Sequence, residues 1–535
     1  MKKITTYLLE HTAARKIAVV CFWLLVWQLA SEAIHNSIML CGPLDALLAL
    51  AKGLVTPSFW VALGTSFLGI ALGFLVSFVL GIALGVLAFH FPLVRMFAEP
   101  AIHMMKSVPV ACFVVLFLVL VGSRFAAVAC VIMVALPPLY MATIDGLNSQ
   151  NKQLSDLFCV FGVTGARRAL ALFWPSILPS IRTTSKSVVG MAWKSGVAAE
   201  LIGIPLGTVG AAIYQTKITL ATNELFAWTF ALIVCSALCE RAFLAVLDWS
   251  GGAAFRAALR LGRAKSGAQA GKCAGGTTDA KGEGARAHAS ATALASAEQG
   301  AGEAHRDPTE QLPLVQCENA AVHFDNGTAP FAPLTFTISC GTKLLLSQES
   351  GYGKTTLLRL IAGLIQPSEG RVIRNATGFI TGTANAHASA GATGPSATAA
   401  CFNASAATKA TPCACMFQTP TLFENLTAIE NIALLVPQCT NQEIRHTLQK
   451  VLPQECLDKP TSQLSGGQQR RVELCRALLS PFELVLLDEP FAGLDAQAAN
   501  ACVALIKELT ANRAVLIATH QTAGLESAGF QNLAF

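Results

Sequence analysis

Charge is scarce in this chain of 535 residues: 13% are Asp, Glu, Lys or Arg, against 53% hydrophobic. An ordinary soluble domain carries about twice that charged share, so a chain living wholly in water is excluded and part of it must span a membrane. Paired cysteine spacing is also missing. The 17 Cys scatter through apolar segments, which excludes a disulfide framework and fits small buried hydrophobes in a reducing compartment. Cys413-Ala414-Cys415, near Cys401, forms the one cluster to consider for a metal, and no His or Asp stands at ligand spacing. Aromatics vanish between Phe255 and Phe324. That stretch cannot bury a core. The net charge of +6 is modest, and Lys and Arg gather in the N-terminal segment, short loops and the linker, which suits the cytoplasmic faces of a membrane protein and not a nucleic-acid surface.

What is present divides the chain. Residues 1–250 read as an all-α membrane domain of about six helices, 251–312 as a flexible low-complexity linker, and 313–535 as an α/β domain with a low-complexity insertion at about 375–412. Lys2, Lys3, Arg15 and Lys16 precede the apolar run Ile17 to Ala30, so the N-terminus is expected inside; a cleaved signal peptide is the rival reading. The stretch from Phe59 to Phe91 has no charge, and Thr65, Gly69, Gly73, Ser77, Gly81 and Gly85 recur every four residues, predicting a face along which another helix approaches closely. Val108 to Gly122 and Phe125 to Ala142 read as a tight helical hairpin, with Pro109, Pro137 and Pro138 expected to bend or interrupt it. A basic stretch follows, from Asp145 to Arg182. The fifth span, Val188 to Ile204, carries Lys194 and Glu200, for which a gating role and a structural pairing both stay open. The last span runs from about Leu225 to Leu247.

The C-terminal half holds the chemistry. Gly351-Tyr352-Gly353-Lys354-Thr355-Thr356 lies between the apolar run Leu344 to Leu346 and a helical pattern from Leu357, so glycine N–H groups and a helix start can wrap phosphates, Lys354 can reach the terminal ones and the Thr355 hydroxyl can ligate Mg²⁺. A strict P-loop has glycine five residues before Gly353; here Gln348 stands there. Leu484 to Leu487 ends in Asp488-Glu489, two carboxylates at a strand tip where a phosphate-bound Mg²⁺ could sit. Leu464-Ser465-Gly466-Gly467-Gln468 precedes them and Gly493-Leu494-Asp495 follows.

Together these motifs resemble the ATPase domain of ABC transporters. The resemblance implies ATP and Mg²⁺ as cofactors, with Phe324 stacking on adenine, Ser350, Gly351, Gly353, Lys354, Thr355 and Thr356 on the phosphates, and Asp488, Thr355 and Gln418 at the metal. It further implies that Glu489 polarises the attacking water and His520 contacts the γ-phosphate. Ser465, Gly466, Gly467, Gln468 and Asp495 would act across a dimer of two ATPase domains. Asp156-Leu157-Phe158, Gly162, Trp174-Pro175 and Leu178-Pro179 resemble the coupling loop of bacterial ABC importer permeases, whose helix would dock near Gln418. Ala199 to Gly203 with Leu206-Gly207 is similar to permeases of the nitrate, sulfonate and taurine class. The expectation is a homodimer of fused half-transporters in the bacterial cytoplasmic membrane, served by a separate extracytoplasmic solute-binding protein and importing a small anion or a vitamin precursor. An exporter with fused domains and a membrane-anchored regulatory ATPase remain as alternatives.

Overall fold

The computed structural model describes residues 12–34, 39–274, 313–324, 328–348, 351–374, 412–521 and 524–533. The chain forms two compact units, residues 1–150 with 173–253, and residues 151–172 with 254–535. The helices of the N-terminal half are α1 (Thr12–Ile34), α2 (Pro43–Val55), α3 (Pro57–His90), α4 (Pro92–Ser107), α5 (Val110–Val121), α6 (Ser123–Asn148), α7 (Lys152–Val160), α8 (Trp174–Gly203), α9 (Val209–Ile218) and α10 (Thr222–Ala274). Proline opens α2, α3 and α4, where its missing N–H costs nothing and its fixed φ suits the first turn.

By length and composition α1, α3, α6 and α10 could each cross a membrane, and the α4–α5 pair would add a fifth span. At 30 residues α8 is also long enough. The expected full span from Val108 to Gly122 is corrected. Its helix α5 has 12 residues, about 18 Å, and lies at 107° to α4. Pro109 causes the break: it pushes Val108 into extended backbone, φ −83° and ψ 130°. Pro137 and Pro138, in contrast, sit inside an uninterrupted α6.

The small-residue face on α3 works along part of its length. Cβ atoms at Gly73, Gly81 and Gly85 would come within 3.0 Å of Val131, Leu139 and Thr143 on α6, whereas one at Gly69 would meet nothing within 4 Å, and Thr65 is exposed. A step of four residues overshoots a helical turn by about 40°, so the stripe rotates off the contact. Ser66 and Ile70 take over as the buried residues there.

The first part of the segment read as linker is helical, because α10 continues to Ala274. Residues 275–312 lie outside the described residues, as do 375–411 of the expected insertion, which falls between β4 and β5 below.

The C-terminal unit has β1 (Val315–Ala321), β2 (Leu334–Ile338), β3 (Lys343–Leu346), α11 (Lys354–Ile361), β4 (Glu369–Arg374), β5 (Ala414–Met416), α12 (Ala428–Leu435), α13 (Asn441–Gln449), α14 (Gly466–Leu478), β6 (Leu484–Asp488), α15 (Ala496–Leu509), β7 (Ala514–Ala518) and β8 (Gln531–Asn532). β2-β1-β4 form an antiparallel sheet. The second sheet runs β5-β6-β7-β3-β8, with every pairing parallel. All residues of β6 and β7 are buried, as the continuous apolar strands of a sheet covered on both faces require.

Candidate functional site

A parallel sheet puts the carboxyl ends of its strands along one edge, where α/β folds bind ligands. Lys354 follows β3, Gln418 follows β5, Asp488 and Glu489 end β6, and His520 follows β7. Thus residues more than 160 positions apart in sequence meet. Lys354 Nζ donates to the Gln348 carbonyl at 2.5 Å and lies 3.0 Å from His520 Nε2. Glu489 Oε1 is 3.9 Å from Lys354 Nζ and 3.5 Å from His520 Nε2. Thr355 Oγ1 donates to Asp488 Oδ2 at 2.8 Å.

Gly351 and Gly353 carry φ of +97° and +76°, and Gly353 stands at the N-terminal cap of α11, so the loop turns into the helix with free N–H groups forward. Gln348 does not share that geometry. It has no positive φ, and its side-chain Nε2 donates to the Leu533 carbonyl at 3.1 Å, beside β8. The departure from the glycine pattern therefore carries no left-handed strain.

Burial pushes the Asp488 carboxyl up from its ordinary value, with the Thr355 hydrogen bond pulling it down and Glu489 adding to the rise. Burial lowers Lys354, while Glu489 and Asp488 draw it back up. A hydroxyl and a buried carboxylate sharing one spot form the hard-oxygen set that Mg²⁺ takes, so the residues fit the ion.

Glu489 has φ +50°, a left-handed backbone that is strained for a side-chain-bearing residue. Its N–H donates to the Ala518 carbonyl at 2.8 Å, and its carbonyl accepts from Arg470 Nη2 at 3.0 Å. Arg470 also donates to the Phe417 and Asp488 carbonyls and is buried. It was not among the expected site residues, and its only signal was its place directly after Gln469.

Ser465 caps α14, with Oγ accepting from Gln468 N and Gln468 Oε1 accepting from Ser465 N, a reciprocal box worth about 1 kcal/mol. A Cβ at Gly467 would lie 3.0 Å from the Gly493 carbonyl. Asp495 caps α15 by accepting from Ala498 N at 2.7 Å. Phe324 is 44% exposed, and Gln418 is exposed at the end of β5. Among the described residues these groups stand outside the hydrogen-bond network of Lys354, Thr355, Asp488, Glu489 and His520. Ser350 lies outside the described residues.

The coupling-loop expectation falls in this same unit. Leu157 and Phe158 of α7 are fully buried. Phe158 meets Phe423 edge-on at 5.9 Å, Gln153 accepts from Thr419 Oγ1 at 2.7 Å, and Cys413 N donates to the Val160 carbonyl. Thr419 adjoins Gln418. Cys413 and Cys415 are buried on or beside β5, and burial pushes Cys413 up to about 12; among the described residues no cluster could hold a metal through His, Cys, Asp and Glu.

In the membrane unit Glu200 is buried and accepts from Ser66 Oγ at 2.6 Å and Gly210 N at 3.2 Å, tying α3, α8 and α9; Lys194 is exposed. A cavity of about 1090 Å³ in that unit is lined by Asp45, Lys52, Tyr214, Gln215, Asn223 and Glu224 among others.

Two family models match side by side: "Binding-protein-dependent transport system inner membrane component" over residues 77–250 and "ABC transporter" over residues 331–492. The thiamine import ATP-binding protein ThiQ of Yersinia pestis is 32% identical over 182 residues, 33% of this chain and 67% of the relative. The chain belongs to the ABC transporter family. It joins a permease-type multi-pass membrane domain to an ABC ATPase domain. Other ABC relatives are the spermidine/putrescine import ATP-binding protein PotA of Legionella pneumophila, 32% identical over 216 residues and 39% of this chain, and the nitrate transport protein NasD of Klebsiella oxytoca, 31% identical over 196 residues and 34% of this chain. The matches span 52% and 64% of those two relatives' own lengths.

Proposed function

We propose that the chain is an ATP-hydrolysing importer that carries a small solute across the bacterial cytoplasmic membrane as a homodimer, with its ATPase domain in the cytoplasm. The observation that carries the reading is the meeting of Lys354, Thr355, Asp488, Glu489 and His520 at one sheet edge, on a chain whose other half is a permease domain. In this reading Lys354 and His520 hold the terminal phosphate of ATP, and the N-terminus of α11 takes the others. Glu489, fixed in its strained backbone by Arg470 and Ala518, orients and polarises the attacking water. Thr355 and Asp488 hold Mg²⁺, assisted by Gln418; the ion when bound offsets phosphate charge. Phe324 offers an exposed ring to adenine.

Ser465, Gly466, Gly467 and Asp495 complete the site of a second copy, since helix α14 presents an exposed, capped N-terminus suited to a phosphate. Closure of that dimer moves α7, which packs in the ATPase unit beside Thr419. A separate extracytoplasmic binding protein delivers the solute. The substrate class, a small anion such as nitrate or a sulfonate, or a vitamin precursor, rests on resemblance and on the printed names of a nitrate transport protein and a thiamine import ATP-binding protein among the relatives. The spermidine/putrescine relative is named for cations and gives this class no support.

The test is Mg²⁺-ATP hydrolysis by the full chain in lipid nanodiscs. The parent should turn over, Glu489→Gln should lose about 100-fold or more, and Gln348→Gly should stay within about threefold of the parent because Gln348 carries no backbone strain. Absence of turnover in the parent, recovered in Gln348→Gly, would favour a regulatory ATPase without transport.

A further inference from the structure

We propose that the tail of the last long helix, Ala254 to Arg263 of α10, is a second coupling element, which acts beside α7 through Phe423 on α14, the helix capped by Ser465. The inference rests on the transport reading above and adds a route to it.

The tail is built to be gripped. Ala254, Ala258 and Gly262 are buried and recur every four residues, giving one face along which neighbours come close. A Cβ on Gly262 would lie 3.0 Å from both Arg167 Cζ and Pro437 Cβ, so the tail is held between the coupling segment and the end of α12. Arg167 itself donates to the Leu434 carbonyl in α12. The next residue along the tail, Arg263, donates through Nη2 to Asn441 Oδ1 at 2.6 Å.

Phe423 is the shared contact. Phe255 meets its ring at 5.5 Å and 75°, and Phe158 of α7 meets it at 5.9 Å and 81°. Two segments far apart in sequence, α7 and the tail of α10, thus bear on one buried ring. The ring's own backbone leads to α14: the Phe423 carbonyl accepts from Thr461 Oγ1 at 2.8 Å, and the Thr461 carbonyl accepts from Gln469 Nε2 at 2.9 Å, just past Ser465 to Gln468. Phe255, Phe423, Thr461 and Gln469 form an unbroken physical path. The tail belongs to a helix of 53 residues without proline. By length and composition the same helix could also cross a membrane. A passive tether would need neither the buried small-residue face nor the ring contact.

The test is amide hydrogen exchange of the full chain in nanodiscs, with and without a non-hydrolysable ATP analogue and Mg²⁺. In the parent, nucleotide should slow exchange about threefold or more in residues 254–263 as well as in 152–160. Phe255→Ala should abolish the response in 254–263 while amides 351–361 keep their nucleotide protection, and Phe255→Tyr should restore it. A merely structural ring would change exchange equally in both nucleotide states. Residues 254–263 that ignore nucleotide while 152–160 respond, or a Phe255→Ala response equal to the parent's, would overturn the proposal. Failure of the parent to protect 351–361 at all would overturn the motor reading instead, and this inference with it.

Discussion

In the membrane unit Gly73, Gly81 and Gly196 have ordinary helical backbone, and the Cβ each lacks would collide with Val131, Leu139 or Ile70 on a neighbouring helix. In the ATPase unit Gly351 and Gly353 have φ of +97° and +76°, and the loop they form leads into helix α11 with Gly353 as its N-terminal cap. The same residue meets two physical demands. Between membrane helices there is little hydrophobic driving force, so association depends on close shapes and on removing volume at the crossing. At a phosphate site the demand is on backbone direction, because N–H groups must point at the ligand. One unit is therefore organised by volume and the other by the placement of polar groups.

The largest break in that contrast is expected from Gly353→Ala. The φ of +76° and a Cβ 2.8 Å from Phe331 and 2.9 Å from Pro330 add backbone strain of about 1–3 kcal/mol to a clash. ATP affinity should fall about tenfold or more, read by equilibrium nucleotide binding, and trimming with Phe331→Ala should not recover it. Recovery would mean that volume, and not direction, rules the loop.

Next is Gly196→Ala in α8, whose new Cβ would lie 2.5 Å from Ile70 Cγ1. Overpacking of this kind costs about 1–3 kcal/mol, seen as a lower apparent Tm of the solubilised chain. Here trimming should help: Gly196→Ala with Ile70→Ala should lose less than the sum of the single variants, by about 1 kcal/mol. Strict additivity would deny the helix contact.

The smallest effect concerns charge. Burial raises the Asp156 carboxyl above 3.8, with Arg359, Lys152 and Arg168 pulling it down. A raised folded value means that its stabilising share is full below 3.8 and is lost as pH climbs through that raised value. Asp156→Asn should therefore lift the apparent Tm by about 1–2 °C at neutral pH and leave it unchanged at about pH 4. An equal shift at both pH values would assign the effect to shape.

Much of the candidate site was legible because its signals are local. Glycines before Lys354, an apolar run ending in Asp488-Glu489, and Ser465-Gly466-Gly467 before a helix each need only neighbours in sequence to be read. The α7 docking was legible as well, through Leu157 and Phe158. Arg470 was not, because its partners are the carbonyls of Phe417, Asp488 and Glu489, which become neighbours only when β5 and β6 pair. The break at Pro109 was expected, yet its size, which turns α5 away from a full span, was not. The tail of α10 read as linker because Ala and Gly are poor in apolar surface. Its burial comes from close approach, which composition does not record.

By itself, then, the sequence determined the division into an apolar helical half and an α/β half with the motifs of the ABC transporter family, since periodicity and short motifs are properties of adjacent residues. Only the tertiary structure decided that β7 lies between β6 and β3, bringing His520 to Lys354 and Glu489. It alone placed Gln348 against Leu533 and Phe423 between Phe158 and Phe255. Those meetings depend on strand order and on contacts across 100 residues or more, and no local pattern encodes which distant partner will fill the space.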